Sequence, residues 1–443
     1  MAQKSKGHEV IPSARRLIKS LRDVGYDFSA AVADLIDNSI VAKATLVAID
    51  VEFDGDDSWV RIADNGLGMT TSELKEAMRY GTEREYEDDD LGKFGLGLKT
   101  ASMSQCQRLS VASRVNAQRA DIAAFCWDLD HIEKTNRWEI LPLERNGLGP
   151  AVRKPLKDAT GTVVLWQKLD RILGYHYPYG EMARKRLLTM CRELEEHLAM
   201  VFHRFLSGEV PRKRLKILVN GNQVEPWDPY CRKELDTQRL TPSTISIEQD
   251  GIKGEIGLEP FVLPHQEKFS NPAAFSRASG PAKWNRQQGF YIYRADRMIQ
   301  SGGWSNLRTI DEHTKLARVR LSFSPKLDEA FKINVAKMRV QLPPQVRELI
   351  EQAVAPVIKI ARSTYDKRGG SKNVPKFEGT PVAGTSTTTR QSTVSSSTGP
   401  IQSSLSKVWT LSEIEERLNS VANRKERVVL SAVFERLREK LSS

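Results

Sequence analysis

The sequence predicts an α/β sandwich followed in series by a second α/β domain, a polar linker and a short helical tail. Helix-period and strand-period patterns interleave through the first 365 residues. Past Lys367 the composition turns abruptly to Ser, Thr, Gly and Pro. Apolar residues return at helical spacing in the last stretch of the chain. With 443 residues and 40% hydrophobic content, two or three domains with their own cores are expected.

Each element has a local reason. Residues 10–23 read as an amphipathic helix with Ile18 and Leu21 facing in. Asp27 can cap a second helix, whose apolar face is Val32, Leu35, Ile36 and Ile40. Leu46–Phe53 and Trp59–Ala63 alternate like paired strands. A third helix is expected from about Leu98 to Gln105, with strands at Arg108–Arg114 and Thr162–Leu169. A long helix follows from Glu181 to Leu206. Asn220-Gly221, between Leu215–Val219 and Val224–Pro226, signals a hairpin. Gly289–Arg294, Ala317–Phe323 and a helix near Pro344–Ala361 complete the second α/β domain. The expected divisions are 1–206, 207–365, a disordered linker over 366–407 and a coiled-coil-like helical segment over 408–443. In that last segment Leu411, Ile414, Leu418 and Val421, then Leu430, Val433, Leu437 and Leu441, recur at helical spacing. Thr410 and Glu413 can form a capping box.

Lys plus Arg exceeds Asp plus Glu by 67 to 56, a net charge of +11. The excess favours a polyanionic partner, nucleic acid first, although a solvated basic surface gives the same count. Around the domain junction Arg204, Arg212, Lys213, Arg214 and Lys216 are either a phosphate track or a solvated loop. Cys106, Cys126, Cys191 and Cys231 are far apart without metal-type pairing, as reduced thiols of a cytoplasmic or nuclear protein would be. The first residues lack an apolar signal core, and no apolar run approaches membrane-spanning length.

Three ordered runs carry the chemistry. In Asp34-Leu35-Ile36-Asp37-Asn38, Asp34 and Asn38 are one helical turn apart and share a face. The Asn38 amide oxygen can ligate Mg²⁺, a hard cation that also holds phosphates. Asp34 can orient and deprotonate a water aimed at a γ-phosphate. Asp64-Asn65-Gly66-Leu67-Gly68 ends a strand. The Asp64 carboxylate, an acceptor only, suits the exocyclic amine of adenine, and Gly66 and Gly68 let backbone approach a ring closely. Met69 packs on the base or fills the core. The third run, Gly92, Lys93, Phe94, Gly95, Leu96 and Gly97, precedes a helix whose free amides attract phosphate. The polar stretch 80–97 has the character of a lid. Its glycines follow acidic Glu83–Asp90 rather than a strand, which disfavours a dinucleotide fold, and Walker A is lacking. Lys99 is either a phosphate contact or a surface lysine. Each run alone is weak; in this order they specify an ATP site.

The set resembles the GHKL ATPases, with the Bergerat fold of gyrase B, MutL and the ninety-kilodalton heat-shock chaperones, nearest the MORC-type and MutL-like branch. The resemblance implies a Bergerat ATP-binding fold followed by a transducer-like (ribosomal S5-like) α/β domain, with ATP and Mg²⁺ as ligands. Gly161-Thr162 looks like the last box, in which the Thr162 hydroxyl helps hold the adenine aspartate and a water. Leu215–Pro229 looks like the start of the transducer, and Gly289–Ile299 like its central strand. Phe331–Met338 looks like the segment of the transducer lysine, which makes Lys337 the expected γ-phosphate sensor. Asp37 fills an acidic position of structural character. The family base is usually Glu, so the shorter Asp34 implies slow turnover. By resemblance the chain is an Mg-dependent, ATP-driven clamp, a homodimer acting on DNA without a membrane. A chaperone-like remodelling ATPase and a non-hydrolysing nucleotide-sensing scaffold are the alternatives.

Overall fold

Two sheets, each packed against helices, carry the architecture in a computed structural model. It describes residues 10–23, 25–81, 97–118, 121–144, 148–174, 177, 179–249, 251–333 and 340–366, together with 431, 434 and 435. The expected linker beyond Asp366, almost all of the expected tail, Gly92 to Leu96 and Lys337 lie outside the described residues.

The first sheet has eight strands: β1 (Leu46–Glu52), β2 (Trp59–Asp64), β3 (Arg108–Arg114), β4 (Ala123–Asp128), β5 (Leu141–Pro142), β6 (Gly161–Gln167), β7 (Lys216–Val219) and β8 (Asn222–Gln223). Their order is β5-β4-β3-β6-β2-β1-β7-β8. All neighbours are antiparallel except β1 and β7. The helices of this half are α1 (Ala14–Arg22), α2 (Phe28–Val41), α3 (Thr71–Met78), α4 (Gly97–Met103), α5 (Leu129–Thr135), α6 (Pro150–Arg153), α7 (Glu181–Val201) and α8 (His203–Ser207). Ile18, Val32, Ile36, Met103 and Leu194 from α1, α2, α4 and α7 meet Val47, Ile49, Val60, Ile62 and Val111 from the strands in one continuous core. On the opposite face Leu148, Val152 and Leu156 cover Ala112, Ala124, Val163 and Leu165. Mixed strands and helices with one face strongly covered make this an α+β sandwich of the expected class.

The second sheet runs β10 (Ser243–Gln249), β11 (Ile252–Val262), β14 (Ala317–Phe323), β12 (Gly289–Arg294), β13 (Arg297–Ser301), with β9 (Gln238–Arg239) on β11. β12 and β14 are parallel. Helix α11 (Arg347–Asp366) lays Ile350, Val354, Val357 and Ile358 on it, while α9 (Pro272–Ala278) and α10 (Lys283–Gln287) lie in the connection before β12. A second patch, Trp227, Tyr230, Tyr291, Tyr293 and Met298, packs against Ala199 and Met200 of α7 and so joins the two layers.

Several expectations shift. The helix Glu181–Leu206 breaks at Phe202 (φ −104°, ψ 14°), which lets Phe202 and Phe205, both buried, enter the core together. The Asn220-Gly221 hairpin forms, but it extends the first sheet instead of opening the second. β7 pairs in parallel with β1, because Ile217 and Val219 alternate into the first core. β11, eleven residues long, escapes the pattern since Gly254, Gly257 and Pro260 interrupt its alternation.

Candidate nucleotide site

Helix α2 begins where Asp27 accepts a hydrogen bond from the Ala30 amide at 2.7 Å. It is buried almost all round, including Asp34 and Asp37, while Asn38 is exposed. A buried carboxylate requires donors. For Asp34 one is the Tyr26 hydroxyl, at 3.2 Å from Oδ2. Burial, with the Asp34 charge second, pushes the Tyr26 phenol above its ordinary range. At the start of α4, a Cβ added to Gly97 would stand 2.3 Å from Asp34 Oδ2. The Asp34 carboxylate therefore lies against the first residue of α4, and glycine is needed there for space.

Asp64 ends β2. Its Oδ1 accepts from the Gly66 amide at 2.8 Å and the Thr162 amide at 3.3 Å, and Oδ2 accepts from Ser39 Oγ at 3.2 Å. Burial pushes the carboxyl above the ordinary 3.8, and these three hydrogen bonds oppose that rise. A carboxylate oxygen has two acceptor directions, so Oδ2 retains capacity for another donor. Ser39 neighbours Asn38, so the same helix holds the Asp64 acceptor and presents the hard oxygen ligand. The nearest neighbours of the turn glycines are protein backbone. A Cβ on Gly66 would meet Ala42 O at 2.7 Å, and one on Gly68 (φ +70°) would meet Arg114 O at 2.1 Å. Asn65 closes the turn by accepting from the Thr45 and Leu46 amides, each at 2.9 Å.

Thr162 joins Asp64 through its amide. Its hydroxyl lies 2.9 Å from Ser113 Oγ instead. Ser113 also accepts from the Met69 amide at 2.7 Å, and the half-buried Met69 packs on the first core. Lys99 is buried, with Nζ donating to the Ala77 carbonyl at 3.1 Å, so it is no surface lysine. Burial pushes its amine down to about 8. In the basic cluster, Arg204 is paired with Asp296 at 2.6 Å, whereas Arg212, Lys213, Arg214 and Lys216 are exposed.

The structure thus brings together Asp34, Asn38, Asp64, Gly66, Gly68, Met69, Gly97 and Thr162. Sequence reasoning missed Tyr26, Ser39 and Ser113. Ser113 opposes Thr162 across β3 and β6, a register that no local pattern announces.

The residues fit a purine nucleotide with Mg²⁺: the half-buried Asp64 carboxylate keeps an acceptor direction free, and the exposed Asn38 amide stands a turn from the buried Asp34 carboxylate. Residues 26–162 match the family described as histidine kinase-, DNA gyrase B-, and HSP90-like ATPase. Residues 26–162 are thus similar to the ATP-binding domain of this GHKL class, including MutL proteins, and ATP with Mg²⁺ is the ligand of the class. The chain is similar to the DNA mismatch repair protein MutL of Haemophilus influenzae, 36% identical over 236 residues, or 52% of this chain and 33% of that one. It is also similar to MutL of Pasteurella multocida, 37% identical over 95 residues, or 20% of this chain and 15% of the relative. MutL of Pseudoalteromonas translucida is 36% identical over 107 residues, 23% and 17% of the two chains. The matched region thus spans a third or less of these relatives. No helix among the described residues is long and apolar enough to cross a membrane.

Proposed function

We infer that this chain binds and hydrolyses Mg²⁺-ATP and uses the cycle to close a homodimeric clamp on DNA. The observation that carries the reading is Asp64, held by Gly66, Thr162 and Ser39, with Ser39 on the same helix as Asp34 and Asn38. Asp64 would accept from the adenine amine. Asn38 would hold Mg²⁺, which when bound neutralises phosphate charge. Asp34, oriented by Tyr26, would take the proton of the attacking water. An Asp in place of the usual Glu implies slow turnover. Lys337, as the γ-phosphate sensor, belongs to the proposal through its likeness to the family alone. Gly92 to Leu96 as a lid, the division at about residue 206 and dimerisation through residues 408–443 belong to it through the sequence pattern.

The partner reading draws on the net charge of +11, the four exposed cations from Arg212 to Lys216, and the similarity to mismatch repair proteins. Turnover assays combined with light scattering test it. A non-hydrolysable ATP analogue, but not ADP, should produce a dimer, and binding of duplex DNA should weaken steeply with salt. Absence of ATP binding defeats the site. ATP binding without dimer or DNA association leaves the chain a nucleotide-binding protein and defeats the clamp.

A further inference from the structure

The turn between β12 and β13 is bonded to three separate parts of the molecule. Ala295 and Asp296 form it, both with positive φ (+45° and +71°). Before the turn, Arg294 sets Nε and Nη2 on the two oxygens of Asp328, at 2.7 and 2.8 Å, within the second layer. In the turn, Asp296 receives Arg204 of α8 at 2.6 Å. After it, Arg297 sends Nε to Asp37 Oδ1 at 2.9 Å. That last pair crosses from the second sheet to α2. Its side chains are 4% and 0% exposed. Asp37 sits three residues after Asp34 and directly before Asn38.

Burying two charges costs desolvation that apolar packing would avoid, and apolar contacts already join these layers through Tyr293, Met298 and Met200. What an ion pair adds is register: a guanidinium and a carboxylate meet in few geometries, whereas apolar surfaces slide. The helix is stiff, so a displacement of Asp37 is shared by Asp34 and Asn38 within the same turn. We propose that Arg297 is a positioning residue. Through Asp37 it sets the rotation and height of α2, so the base and the metal ligand are in place only while the second sheet is docked. The adenine end touches α2 only through the Ser39 hydroxyl and is held mainly by the Gly66 and Thr162 amides, so it depends on this pair far less. The proposal rests on the ATPase reading and deepens it.

Removing the guanidinium breaks a buried ion pair outright, so Arg297→Ala alone can fail by unfolding. The test is the double variant Asp37→Asn/Arg297→Gln in the full chain, with Arg297→Lys beside it. Measurements are melting, ADP affinity by calorimetry, kcat and KM for ATP, and hydrogen exchange across α2. In the folded double variant ADP affinity should hold within about threefold. The kcat should fall on the order of 10²-fold, as for a misplacement near 1 Å, and α2 amides should exchange faster. Arg297→Lys, which keeps the charge without the fork, should fall between. Wild-type kcat with wild-type exchange in the folded double variant overturns the proposal, leaving the pair a static link. If the unmodified protein neither binds nor hydrolyses ATP while α2 exchange still rises, the ATPase reading fails and the link from sheet to helix stands. If the double variant does not fold, Arg297→Lys decides: undiminished kcat with unchanged exchange there overturns the proposal.

Discussion

Asp64→Asn changes one oxygen of a half-buried carboxylate into an amide nitrogen and little else. The Oδ1 side faces two backbone donors, Gly66 and Thr162, which cannot turn away, so the amide oxygen must stay there. The NH₂ group then occupies the Oδ2 side. Ser39 can adjust: its hydroxyl already lies 3.3 Å from the Leu35 carbonyl, so it can donate there and accept from the amide. An adenine amine has no such freedom, and donor meets donor. Losing one charge-assisted hydrogen bond costs about 1.5–3 kcal/mol, which is roughly a 10- to 150-fold weaker Kd for ATP and ADP alike. Melting should change little, since the fixed hydrogen bonds survive and a buried charge is removed. Calorimetric titration of both nucleotides measures the loss, and unchanged affinity would place the base elsewhere. The pH dependence gives an independent check. Burial raises the Asp64 carboxyl above its unfolded value. The cost of burying its charge is therefore absent below the unfolded pKa, and stability is lost as pH rises through the folded one. Nucleotide affinity runs the other way, weakening as acidification protonates the acceptor at a pH above the ordinary Asp range. Both dependences should vanish in Asp64→Asn.

Asp34→Asn should keep ATP binding and lower kcat by about 10²- to 10⁴-fold, the usual worth of a general base, and wild-type turnover would remove Asp34 from that role. Gly97→Ala should reproduce part of this defect without touching a reactive group, because its Cβ would stand 2.3 Å from Asp34 Oδ2; equal kcat would mean that the carboxylate moves freely. Asn38→Ala should abolish the Mg²⁺ dependence of ATP affinity while leaving weak metal-free binding, and identical Mg²⁺ titrations for variant and wild type would rule out the ligand role. Lys99→Met should leave ATP affinity unchanged, since Nζ is held by Ala77 O; a tenfold loss would show that the amine serves phosphate instead. The Lys99 amine, pushed down to about 8, sheds its proton earlier in the folded chain, so wild-type stability should rise from about pH 8 towards the ordinary lysine value of 10.5, and denaturant melts of Lys99→Met should lack that rise.

The ATP-binding class was legible because its chemistry is local. Asp34 and Asn38 share a face through helix geometry alone, and Asp64 with its glycines is a single turn, so order and spacing along the chain carry the signal. Strands β3, β12 and β14 coincide with their predicted limits, since alternation and flanking polar residues mark them. β11, whose alternation is interrupted, gave no such mark, whereas α3 and α9 are announced only at their starts, by the Thr70–Glu73 capping box and by Asn271-Pro272. The β7–β8 hairpin was visible as a hairpin, but which sheet it joins depends on where β1 offers an open edge.

Residue type and spacing therefore pointed to a nucleotide site of this class and to the side chains proposed to bear it. Only the folded chain decided how they are held. Ser39 and Ser113 reach Asp64 and Thr162 across strand and helix neighbours, and a hydroxyl in a sequence says nothing about the partner it will meet. Thr162 offers its amide to Asp64 and its hydroxyl to Ser113, a choice made by the register of β6 against β3. Asp37, which looked structural, lies against an arginine 260 residues away. A charge can be read from sequence; the burial that gives it consequence, and the distant charge that answers it, arise when the two sheets pack.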